Sequence, residues 1–98
     1  MLVKIHNSYR MVIAICDNNL LGKTFEEGAK QIIVGKNFYE GENKTESEIL
    51  KIMSDYSEAD ATFNIVGEES VKTALKAKLI RKEGITYIQN IPIALILL

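Results

Sequence analysis

The sequence is poor in the side chains from which disulfides and metal sites are built. Among its 98 residues it has one cysteine, Cys16, and one histidine, His6. A single cysteine excludes an internal disulfide, and one cysteine with one histidine is too few for a four-ligand structural zinc site. We therefore expect an intracellular protein without a metal site, and we expect no cofactor.

Long apolar runs and a strong excess of one charge are also missing. The apolar run at residues 91–98 contains Pro92 and is far shorter than the ~20 residues that a membrane-spanning helix needs. The N-terminus alternates apolar and charged residues, unlike a secretory signal. The net charge of −1 argues against indiscriminate nucleic-acid binding, which is typical of basic proteins. We therefore expect no membrane association, and the sequence supports an RNA partner only weakly.

The glycine-rich turn of a nucleotide-binding loop is absent as well. Gly22, Lys23 and Thr24 match the end of the pattern G-x-x-x-x-G-K-[ST]. Asp17 stands where the first glycine of that pattern would be, and its carboxylate would repel phosphate. We therefore do not expect the tripeptide to be the end of a phosphate-binding loop.

What is present is typical of one globular domain. Apolar residues make up 47% of the chain and charged residues 26%, so residues 1–98 should form a single small core. Two apolar segments around the polar residues 7–10 predict a β-hairpin, and further strands are predicted at residues 30–34, 62–66 and 85–89, with a strand or tail at residues 91–98.

Helices are predicted mainly in the second half of the chain. Thr45 and Glu48 have the spacing of a capping box, and apolar residues follow at helical spacing. Residues 68–80 have an apolar stripe, an acidic start and a basic end. We also expect a short helical turn within residues 20–27, and a loop or short strand at residues 36–40. The predicted fold is α+β, a mixed, mainly antiparallel sheet with two helices packed on it.

The residues capable of chemistry allow two interpretations. A Cys16–His6 dyad is disfavoured, because the hairpin places the two residues on the order of 16 Å apart at ~3.3 Å per residue. Cys16, Asp17, Lys23 and Glu27 could converge at the mouth of the sheet as nucleophile, general base, anion holder and second carboxylate of a small-molecule site or enzyme. Alternatively, Cys16 packs in the core, Asp17 caps its own turn and Lys23 is solvated.

Three segments are candidates for a partner surface. Phe38 and Tyr39 form either an exposed aromatic edge or a cover on the core. Lys72, Lys76 and Arg81 form a basic cluster that either contacts RNA phosphate or is simply solvated. The C-terminal strand belongs either to the core or to an interface that adds a strand to another chain's sheet, which would give a homo-oligomer.

Read in order, three stretches resemble the archaeal domain of unknown function 424 family: VIAICDNNLLGKTFEEG, NFYEGE and NIVGEESVKTALKAKLI. The resemblance implies an archaeal, cytoplasmic protein of mixed α and β content, and it brings no catalytic residues. It also carries an expectation of association with translation. The leading hypothesis is therefore a non-catalytic interaction module with a protein partner, and the alternative is the small-molecule site described above.

Overall fold

The computed structural model describes residues 1–97 and confirms the α+β fold. Within these residues the strands are β1 (Leu2–Asn7), β2 (Met11–Cys16), β3 (Thr24–Glu27), β4 (Lys30–Ile33), β5 (Glu42–Asn43), β6 (Thr62–Val66), β7 (Thr86–Ile88) and β8 (Ile91–Ile96). The α-helices are α1 (Lys36–Tyr39), α2 (Glu46–Ser57) and α3 (Glu68–Lys76). Six strands form one sheet in the order β5-β1-β2-β6-β8-β7, and β3 pairs with β4 in a separate sheet of two.

The predicted hairpin is present, and its register is set by a three-residue turn. β1 pairs antiparallel with β2 from Asn7↔Met11 to Leu2↔Cys16, so His6 lies opposite Val12. At the other side of the sheet, β7 and β8 are joined by Gln89 and Asn90, which have φ angles of 50° and 64°. Two successive positive φ angles give the twist that a two-residue hairpin needs.

Among the described residues, one pair of strands is parallel, and it positions the candidate site. β2 runs parallel to β6, from Val12↔Thr62 to Cys16↔Val66. The carboxyl ends of the two strands therefore lie side by side, and the residues that follow them meet at one edge of the sheet. β6 pairs on its other side with β8, antiparallel.

Helix α2 begins as predicted, whereas α3 is shorter than predicted. Thr45 and Glu48 form both hydrogen bonds of the capping box. Helix α3 was expected to reach Ile80 but ends at Lys76, because Lys78 adopts a φ of 60° and the Leu79 amide donates to the Ala74 carbonyl oxygen. This six-to-one hydrogen bond closes the helix end and turns the chain away from the helix axis.

Two local predictions were wrong. Residues 20–27 do not form a helical turn: a 3₁₀ turn at Asn18–Leu20 is followed by β3, which carries the half-buried Phe25 and pairs antiparallel with β4 from Thr24↔Ile33 to Glu27↔Lys30. The segment expected to be a loop or short strand is the single-turn helix α1, in which the Tyr39 amide donates to the Gly35 carbonyl oxygen.

Both faces of the large sheet are covered, but unequally. Helices α2 and α3 cover one face and bury a core that includes Ile13, Phe63 and Met53. The other face is covered by α1 and the β3–β4 hairpin, which enclose a smaller core around Cys16 and Val66. The second cover is small, and it leaves Leu95 of β8 exposed on that side.

Candidate functional site

The residues after β2 and β6 form a site that binds a carboxylate. That carboxylate belongs to the protein itself, to Asp17. Asp17 follows β2, and the first turn of α3 follows β6. The Asp17 carboxylate accepts hydrogen bonds from the backbone amides of Glu69 at 3.1 Å and Ser70 at 2.8 Å, and from Ser70 Oγ at 2.7 Å. These amides belong to the donors that a helix N-terminus leaves unpaired. Asp17 therefore caps α3 rather than its own turn, where its side chain makes no capping hydrogen bond.

Gly67 makes room for this carboxylate. It is the N-cap residue of α3 and has a φ of 113°, a conformation that favours glycine. A Cβ at this position would collide with the Asp17 side chain. A residue without a side chain at the N-cap and a carboxylate supplied from the neighbouring strand together give one complete cap.

Cys16 lies on the sheet face that α1 and the β3–β4 hairpin cover, and its side chain has no exposed surface. Burial, together with the neighbouring Asp17 carboxylate and against the opposing N-terminal ammonium, raises the pKa of its thiol to about 11. Burial, with a smaller contribution from Cys16, likewise raises the pKa of the Tyr39 hydroxyl to about 12. Both groups are neutral at physiological pH, so Cys16 is a packed thiol rather than a thiolate.

The four residues of the predicted small-molecule site are not brought together around one hollow. Cys16 is buried and Asp17 is used by α3, whereas Lys23 and Glu27 are exposed. Glu27 Oε1 accepts a hydrogen bond of 2.7 Å from the Gln89 amide, which ties the β3–β4 hairpin to the turn between β7 and β8.

His6 is also part of the framework. Its Nε2 lies 2.8 Å from the Phe38 carbonyl oxygen, and its ring stacks on the Phe38 ring with centroids 4.7 Å apart. In the hairpin, Cys16 lies opposite Leu2, and His6 is four residues further along β1. The imidazole and the thiol are therefore apart, as the sequence predicted.

The predicted aromatic edge is turned mostly inward. Phe38 is half-buried against His6, and its ring meets Tyr39 edge-on at 5.0 Å between centroids. Tyr39 is buried in the smaller core. This segment acts mainly as a cover for the sheet.

The predicted basic cluster is exposed, and one of its members is paired. Lys76 Nζ lies 2.6 Å from Glu46 Oε1 on the neighbouring helix α2. The hydrogen bond from Lys76 lowers the pKa of the Glu46 carboxyl, with smaller contributions from the charges of Lys76 and Lys72. Arg81 is exposed beyond the end of α3.

An exposed apolar feature that sequence reasoning missed is the tip of the first hairpin. Tyr9 is fully exposed there, and Ser8 Oγ donates to the Arg10 carbonyl oxygen at 2.7 Å, which fixes the turn. A shallow cavity of about 600 Å³ lies between residues 7–11 and residues 59–60. The available signal was an aromatic residue within an otherwise polar turn.

The same end of the sheet holds other exposed apolar side chains. Leu95 is 58% exposed and Leu97 is 72% exposed. Phe63, near the start of β6, pairs with Ile96, near the end of β8, and β6 starts beside the start of β2. Residues 8–10 and residues 95–97 therefore lie at the same end of the sheet.

Among residues 1–97, no group of three or more histidine, cysteine, aspartate or glutamate side chains could hold a metal ion. Within the same part of the chain, no helix is long and apolar enough to cross a membrane.

Comparison with known proteins connects these observations to a family. A crystal structure of an uncharacterised conserved protein from Methanopyrus kandleri has a similar fold, with a TM-score of 0.84 and 24% sequence identity over 97% of this chain and 88% of that one. No curated protein matches the sequence. The family model described as "Protein of unknown function (DUF424)" matches residues 6–98. The chain belongs to that DUF424 family.

Proposed function

We propose that this protein is a cytoplasmic, non-catalytic interaction module of an archaeal translation assembly. It docks a partner protein through the tip of its first hairpin, residues 8–10. The observation that carries the proposal is the fully exposed Tyr9 on a turn that a hydrogen bond holds in shape.

The use of the chemical groups supports a role without catalysis. The Asp17 carboxylate is bound by the first turn of α3, His6 Nε2 lies at the Phe38 carbonyl oxygen, and the Cys16 thiol is buried with a raised pKa. A nucleophile or general base needs the opposite: access to a ligand and a pKa near the working pH.

The chemistry of the tip suits a protein partner. Tyrosine and arginine are enriched among the residues that contribute most to binding at protein interfaces, and Tyr9 and Arg10 are neighbours here. A tip that is already ordered loses little conformational entropy on binding. The neighbouring cavity at residues 59–60 gives the partner a recess beside the ring.

The link to translation comes from the family resemblance. A near-neutral chain with a net charge of −1 is better suited to protein-mediated recruitment than to direct binding of RNA phosphate.

The test is affinity capture from native lysate, with and without ribonuclease, using wild-type protein and two variants. Tyr9→Ser removes the ring at the tip, and Tyr87→Ser removes another exposed tyrosine on the edge strand β7. We expect ribosomal proteins to be retained by the wild type and by Tyr87→Ser after ribonuclease treatment. We expect Tyr9→Ser to lose them.

Three results would contradict the proposal. They are the absence of translation components, equal capture by all three proteins, and complete loss after ribonuclease. Native mass spectrometry of the purified protein adds a fourth, because a co-purified metabolite would favour the small-molecule alternative.

A further inference from the structure

We propose that two copies of this chain associate by antiparallel pairing of the outer edge of β8, over residues 94–97. This self-association is separate from the partner contact at residues 8–10 and does not depend on it.

The last part of β8 has a strand neighbour on one side only. On the inner side it pairs with β6 through Phe63↔Ile96, Asn64↔Leu95 and Ile65↔Ala94. On the outer side, the ladder with β7 ends at Thr86↔Ile93. Within the described chain, the backbone of residues 94–96 therefore presents an outer edge without a paired strand.

A groove runs along this edge. A cavity of about 630 Å³ is lined by Leu95, Ile96 and Leu97 on one wall and by residues from 80–84 on the other. Successive residues of a strand point to opposite faces of a sheet. Because both Leu95 and Ile96 line the cavity, it lies along the edge of β8 and not over one face. The chemistry of such a groove, backbone donors and acceptors between apolar side chains, fits an extended chain that adds a strand.

The charges around the groove favour a second copy as the occupant. Natural edge strands are usually protected by charged side chains or proline, and residues 93–97 have neither. The opposite wall carries Arg81 and Glu83, whose charges cancel. The groove thus offers no net charge to an acidic or basic segment, and it matches the uncharged β8 of another copy.

Two-fold symmetry makes the pairing self-complementary. Cross-strand neighbours in an antiparallel pair point to the same face, so Leu95 and Leu97 of the two copies would pack together. They are the most exposed side chains of this strand end, at 58% and 72%. Only four residues of each copy would pair, against the roughly 20–30 residues a side of a stable interface, so we expect a weak dimer that forms in the micromolar range or above.

The test is sedimentation velocity on the full chain from about 5 μM to about 1 mM. We expect a reversible shift from monomer to dimer. Leu95→Lys should raise the dissociation constant at least about tenfold. A tenfold change corresponds to less free energy than the full burial of one leucine side chain provides. The matched control is Ile33→Lys, which alters a residue 59% exposed on β4, in the other sheet, and should leave the constant unchanged.

Amide hydrogen exchange gives a second readout. Protection of the amides of residues 94–97 should rise with protein concentration, and Leu97→Lys should abolish the rise even if Leu95→Lys folds poorly. Tyr9→Ser should leave self-association unchanged, which separates this proposal from the partner contact. A monomer up to 1 mM would overturn it. So would equal effects of Leu95→Lys and Ile33→Lys, or exchange at residues 94–97 that does not depend on concentration.

Discussion

At the scale of single residues, the most informative side chain is Asp17. Its carboxylate is buried, and it accepts hydrogen bonds from three donors in the first turn of α3. A buried charge is costly unless it is hydrogen-bonded, and the positive end of a helix is a favourable place for it. The same geometry explains why Gly67 has no room for a side chain.

We predict that Asp17→Ala lowers the free energy of unfolding by about 2–3 kcal/mol, because it leaves two amides and a buried hydroxyl without their acceptor. Gly67→Ala should also destabilise the protein, through its φ of 113° and its collision with Asp17. The double variant should lose less stability than the sum of the two single losses, because the added Cβ no longer collides with the Asp17 carboxylate. Urea unfolding of all four proteins measures this, and additive losses would contradict the geometry.

The Cys16 thiol should react slowly in the folded protein. With a pKa raised to about 11, its thiolate fraction at pH 8 is about two orders of magnitude below that of an ordinary cysteine. Full burial slows the reaction further. Labelling with a coloured disulfide reagent, followed across a urea series, should accelerate only as the protein unfolds. Fast labelling without urea would restore Cys16 as a candidate nucleophile.

At the scale of elements, α2 and α3 are joined at the surface by Glu46 and Lys76. The hydrogen bond from Lys76 lowers the pKa of Glu46 in the folded state. Its contribution to stability is therefore complete above the unfolded pKa of ~4.3 and is lost as the pH falls through the lower folded value. The pair is exposed, so we expect a small effect on stability that salt weakens.

The direct check is a side-chain nuclear magnetic resonance titration of Glu46. Lys76→Met keeps the apolar stem and removes the charge, and should raise the pKa of Glu46 toward its ordinary value. Lys51→Met, which breaks the Lys51–Asp55 pair within α2, is the control and should leave the Glu46 titration unchanged. An unshifted Glu46 in the Lys76 variant would show that the hydrogen bond does not persist in solution.

Elements whose signals are local were predictable, and those that depend on distant contacts were not. The capping box at Thr45 and the polar turn between β1 and β2 are written in a few neighbouring residues. Residues 20–27 were wrongly predicted as a helical turn. β3 is a strand because it pairs with β4 and because Phe25 packs on the smaller core, and neither contact is visible in the neighbouring residues. The role of Asp17 depends on a helix more than 50 residues later in the chain.

At the scale of the whole molecule, two unequal layers cover one sheet. The helix-covered side contains Phe63, which is fully buried, while Leu97 lies exposed at the end of β8. The sequence predicted a mixed sheet with helices on it, but not which strands are neighbours, since the parallel pairing of β2 with β6 joins distant segments. It also left open whether the apolar tail is core or interface, and in β8 the side chains of Ala94 and Ile96 are buried whereas Leu95 is exposed.

This division predicts very different costs for two apolar truncations. Phe63→Ala should remove about 3–5 kcal/mol from the free energy of unfolding, a large part of the 5–15 kcal/mol typical of a domain. Leu97→Ala should change it by less than about 0.5 kcal/mol in dilute solution. Urea titrations at low micromolar concentration measure both values. A large loss for Leu97→Ala would place that side chain in the core and not on an edge.

The capping of α3 by Asp17 also bears on the order in which the protein folds. A helix of nine residues is too short to persist alone in water, and here its cap is carried by a different strand. We therefore expect α3 to be stable only when β2 and β6 are paired, and a synthetic peptide spanning residues 62–80 should behave as a random coil.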